Sequence, residues 1–87
     1  MILDLLTQAV AEVGAGTYVL VGRTAGGAWT CQVFGGGWDA PVFVAAEVHP
    51  DREWAIRACA VSWVARTQVT AGSPTIARSA LIQELCG

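Results

Sequence analysis

Eighty-seven residues make one domain with room for a single small core. The chain is 54% hydrophobic and 14% charged, against about 45–50% and about 25% in an ordinary soluble domain, and its net charge is −2 with an isoelectric point near 5.0. Five arginines and no lysine are a poor match to a phosphate-gripping surface, seven carboxylates are too few to imitate DNA, and no run of 18 apolar residues offers a membrane span.

A small globule has much surface for its volume and needs more polar surface than average. This chain has less, so part of its surface is expected to be covered by another chain. No basic segment precedes Asp4 and no signal peptide is recognisable, which makes the cytoplasm the default compartment. Cys31, Cys59 and Cys86 are odd in number and widely spaced. They match no zinc motif and read as free thiols; neither metal nor cofactor is expected.

Residues 2–13 read as an amphipathic helix, with Ile2, Leu6, Ala9, Val10 and Val13 on one stripe. Gly14 and Gly16 stop it. Thr17–Arg23 follows as a strand, Thr24 to Gly27 as a turn, and Ala28–Phe34 as the second arm of a β-hairpin. Alternation puts Trp29, Cys31 and Val33 on one face and Thr30, Gln32 and Phe34 on the other. Gly35 to Pro41 is a flexible loop carrying Trp38, and Val42–Val48 is a third strand. His49-Pro50-Asp51 opens a helix, with Pro in the first turn and carboxylates at its positive end. That helix is expected to run from Asp51 to about Gln68 or Val69, and a last one over Thr75–Cys86 after Ser73-Pro74. The order is α-β-β-β-α-α: an α+β fold with a three-stranded antiparallel meander packed by helices.

The long helix is apolar on two sides. Trp54, Ala58, Val61, Ala65 and Val69 form one stripe; Ile56, Cys59 and Trp63 form a second, nearly opposite. One stripe packs on the sheet. The other meets a flanking helix, a second copy or a partner, and Trp63 is the first candidate for such a contact because Trp is favoured at binding hot spots. Phe34 and Phe43 point to the second face of the sheet, which is either an exposed apolar patch or is covered by the first helix. Trp38 is a plausible contact at a loop tip, or a lid on the core. His49, the only histidine, sits where a capping or surface role is commonest, and the carboxylates show no paired signature for acid–base work.

The α-β-β-β-α order over residues 2–69 resembles the double-stranded-RNA-binding domain. In that family the second helix opens with lysines that grip phosphate. Here Asp51, Glu53 and Trp54 stand in the matching stretch, so RNA binding does not carry over. Gly27–Ala58, an aromatic hairpin, a Gly loop and a strand leading into HPDREWAIRACA, resembles small phage and mobile-element proteins, including anti-CRISPR proteins. That resemblance implies a non-enzymatic inhibitor that binds and sterically blocks a host protein complex. The expected contact residues are Trp38, Trp63, Phe34 and Phe43, with Arg52, Arg57 and Arg66 as polar neighbours, and a homo-oligomer, a dimer, is expected. A structural assembly subunit and a nucleic-acid-binding module are the competing functions.

Overall fold

A computed structural model describes residues 2–13, 17–35, 42–67 and 76–86, the side chains of residues 13, 42–45 and 67 excepted. The elements come in the expected order: α1 (Ile2–Val13), β1 (Tyr18–Arg23), β2 (Trp29–Gly35), β3 (Val42–His49), α2 (Arg52–Thr67) and α3 (Ile76–Cys86). The fold is α+β, with a single antiparallel sheet in the order β1-β2-β3. Element ends agree with the sequence reading to within about two residues, the usual scatter of helix and strand boundaries.

The hairpin closes through backbone and side chain together. The Gly27 N–H donates to the Thr24 carbonyl at 3.0 Å, and the Thr24 N–H to the Ala28 carbonyl at 2.8 Å. The Ala28 N–H donates to Thr24 Oγ1 at 3.1 Å. Gly27 has φ of 87°, a conformation other residues adopt only at a cost. Register then pairs Tyr18 with Phe34, Leu20 with Gln32 and Val21 with Cys31. Between β2 and β3 it pairs Cys31 with Glu47 and Gln32 with Ala46, then shifts at Val33/Phe34 so that Phe34 meets Phe43.

Period-2 alternation divides the sheet into two unlike faces. Cys31 and Val33 are fully buried beneath the helices, in one core with Ile2, Leu6, Ala9 and Val10 of α1, Ile56, Cys59 and Trp63 of α2, and Leu81 of α3. α1 packs chiefly on α3, and α2 on β2 and β3. The first helix therefore does not cover the second face of the sheet, which carries Tyr18, Leu20, Thr30, Gln32 and Phe34. Leu20 there is 41% exposed, and Val48 at the edge is 62% exposed.

The start of α2 follows from local chemistry. The Asp51 N–H donates to His49 Nδ1 at 3.2 Å, and the Asp51 carbonyl accepts the first helical bond, from the Ala55 N–H, at 3.0 Å. His49 thus serves the turn, and its imidazole lies 6.3 Å from the Trp54 ring. No described helix is long and apolar enough to cross a membrane.

Candidate interaction surface

α2 settles which of its two apolar stripes is the core. Ile56, Cys59 and Trp63 are buried, Trp63 with 1% of its surface exposed. Trp63, expected as a partner contact, belongs to the buried core cluster, and the Arg78 guanidinium lies over its ring. The opposite stripe faces outward. Trp54 is 56% and Val61 55% exposed, with Ala58 half-buried and Ala65 exposed between and beyond them.

The outer stripe runs into a groove between α2 and α3. Val61, Val64, Ala65, Ile82, Leu85 and Cys86 line it, and it encloses about 270 Å³. Apart from the Cys86 thiol the lining is aliphatic. Exposed aromatic and aliphatic side chains beside an apolar groove are the arrangement that hot spots require: an anchor, and a pocket that excludes water. Residue spacing alone marks this stripe and the buried one alike. The overlooked signal is the run Ala55, Ile56, Cys59, Ala60 and Trp63, whose small members let the helix approach a sheet closely.

The remaining expected contact residues are dispersed. Arg52 is exposed, and its guanidinium lies 5.7 Å from the centre of the Trp29 ring, with that of Arg23 at 5.1 Å. Arg57, half-buried, donates from Nη2 to the Glu84 carbonyl at 3.4 Å, joining α2 to α3 beside the outer stripe. Arg66 is exposed near the end of α2. The three arginines thus occupy three different sites along α2 and do not form one rim. Phe34 is half-buried on the open sheet face and stacks on Tyr18, with ring centroids 5.5 Å apart. Trp38 and the side chain of Phe43 lie outside the described residues.

One charged group was not anticipated in the interior. Arg78 of α3 is only 5% exposed. Its guanidinium lies 5.4 Å from the Trp63 ring, and Nη2 donates to the Val64 carbonyl at 3.1 Å. It thereby joins α3 to α2.

Among the described residues no three His, Cys, Asp or Glu side chains converge as a metal site. Glu47 accepts the Ser62 hydroxyl at 3.1 Å. Cys31 and Cys59 are buried and free, and Cys86 is exposed. Interaction with Cys31 and burial push the Cys59 thiol well above the ordinary range, and the Cys31 and Glu47 charges add to this. Cys31 moves the opposite way, because its interaction with Cys59 outweighs its burial, and the Arg52 charge adds to the lowering. Comparison with protein-family models, curated proteins and solved structures finds no match.

Proposed function

We propose that this chain is a non-enzymatic protein-binding module of the cytoplasm that blocks a larger host complex by occlusion, as an anti-CRISPR-like inhibitor does. Its contact surface is the outer face of α2. The observation that carries the reading is the exposed stripe of Trp54 and Val61 running into the α2–α3 groove. The occupant is an apolar segment of the partner, which seats aliphatic or aromatic side chains in the groove and packs on Trp54. α2 has three arginines against one carboxylate in a chain of net charge −2, so an acidic partner surface is favoured over a second copy of the same helix.

Trp54→Ala and Val61→Glu are each expected to weaken partner binding about 30-fold or more, corresponding to a hot-spot loss of about 2 kcal/mol. Circular dichroism of both variants should match the wild type. The measurement is capture of host protein by wild-type and variant chains after nuclease treatment, followed by hydrogen exchange on the purified complex. Protection confined to residues 52–66 and 76–86 supports the reading. Undiminished capture by Trp54→Ala, or capture lost on nuclease treatment, would sink it; the second result would point to nucleic acid.

The expected dimer is best served by a different surface. Leu20 and Val48 are exposed on the open sheet face, where a second copy or an assembly neighbour would cover them. A single Val48→Glu substitution should then convert a dimer to a monomer in light scattering on a size-exclusion column. A wild-type chain that is already monomeric would remove this surface from consideration.

A further inference from the structure

One end of the sheet gathers two arginines onto one indole. Trp29 opens the central strand β2 and is half-buried. Arg23 on β1 and His49 on β3 stand directly opposite it in register, so the three side chains share one face. The Arg23 guanidinium lies over the Trp29 ring, 5.1 Å from its centre, and Arg52, in the first turn of α2, lies over the same ring at 5.7 Å. Local turns set both positions. Arg23 Nη2 donates to the Gly27 carbonyl of the hairpin turn at 3.3 Å. His49 Nδ1 accepts the Asp51 N–H at 3.2 Å, which fixes the turn leading into Arg52.

This arrangement leaves charge and donors unspent. The two guanidiniums are no more than about 11 Å apart, about one Debye length, so they repel each other. The chain has seven carboxylates against five arginines, yet among the described residues none pairs with Arg23 or Arg52. A guanidinium carries several N–H donors; among the described residues Arg23 gives one to the protein and Arg52 none. Arg57 and Arg78, by contrast, are tied to carbonyls between α2 and α3. Two exposed cations pinned on a half-buried ring are oriented in advance, and guanidiniums so held suit carboxylate or phosphate oxygens. Asp51 and Glu53 flank Arg52 in the chain. They repel a continuous run of phosphates, whereas carboxylates spaced along a peptide can meet the two cations and avoid them.

We propose that Arg23 and Arg52, held on Trp29, bind the carboxylates of an acidic peptide segment. This site rests on the protein-binding reading above and extends the same surface. His49, opposite Trp29, lies 6.3 Å from the ring of the exposed Trp54. A segment leaving the arginines past His49 therefore reaches Trp54 and the outer face of α2.

The test is an NMR titration of the isotope-labelled full chain under reducing conditions and low salt. The probes are a short peptide of glutamate and leucine, its glutamine–leucine counterpart, and a short oligothymidylate of equal charge. The glutamate peptide should shift the side-chain N–H signals of Arg23, Arg52 and Trp29 together, and the glutamine peptide should not. Arg23→Gln and Arg52→Gln should each weaken glutamate-peptide binding about fivefold, the scale of one exposed ion pair. Their Tm values should stay within a few degrees of wild type, because exposed cations that repel each other add little to folding. Absence of binding, shifts confined to other parts of the chain, or variants that lose Tm but keep peptide affinity would each overturn the proposal. Tighter binding of oligothymidylate than of the glutamate peptide would overturn it in favour of nucleic acid. Capture of host protein separates this site from the wider reading. Capture lost in Trp54→Ala but kept in the double variant Arg23→Gln/Arg52→Gln would sink the acidic-peptide site alone. Glutamate-peptide binding at the two arginines, with host capture undiminished in Trp54→Ala, would sink the α2 surface and leave this site standing.

Discussion

Trp63→Ala should cost about 3–5 kcal/mol of folding stability, the range for removing a large aromatic from a core. For a domain of this size that lowers the Tm by well over 10 °C. The reason is position: among the described residues Trp63 is the largest fully buried side chain, and it belongs to the cluster that α1, α2, α3 and the sheet share. Its loss leaves a cavity at the point where all four meet, and it removes the ring over which the Arg78 guanidinium lies. Thermal melts followed by circular dichroism would read the effect directly. Trp54→Ala, on the opposite side of the same helix, should change the Tm by only a few degrees. Equal Tm losses for the two substitutions would show that the outer stripe is also structural.

Arg78→Ala should be the second most damaging change, costing about 2–3 kcal/mol. The part-buried Val64 carbonyl would lose the Arg78 donor at 3.1 Å, and an acceptor left unpaired away from water costs about 1–3 kcal/mol. The aliphatic stem that packs α3 on α2 would go with it. Arg78→Met keeps much of that stem without the donor, so chemical denaturation should place it between wild type and Arg78→Ala. An Arg78→Met variant as unstable as Arg78→Ala would assign the whole effect to the guanidinium. If α3 detaches in the alanine variant, the α2–α3 groove is lost too, and partner binding should fall with stability.

The two-sided character of α2 was legible in the residue spacing, but its orientation was not. Both stripes contain a Trp and several small or aliphatic residues, and periodicity ranks them equally. What separates them is the sheet beneath. Cys31 and Val33 leave a shallow surface, and the Ala55, Cys59, Ala60 and Trp63 side fits it with small residues flanking one large one. The stripe with Trp54 and Val61 has no such counterpart and stays exposed. The arginines tell the same story. Their positions on α2 suggested a rim, yet Arg52 turns to Trp29 and Arg57 to the end of α3. Arg78, which had no assigned role, is the one buried in the interior.

The sequence by itself determined the element order, the hairpin and its turn, the buried stripe of α1 and the absence of a zinc motif. Each of these rests on contacts between residues close in the chain, where periodicity, Gly and Pro act directly. Only the tertiary structure decided that all three helices share one side of the sheet, that Trp63 is core and Trp54 surface, and that Cys31 and Cys59 are buried in the same core. Those outcomes depend on how differently shaped faces fit together, and the fit depends on every element at once.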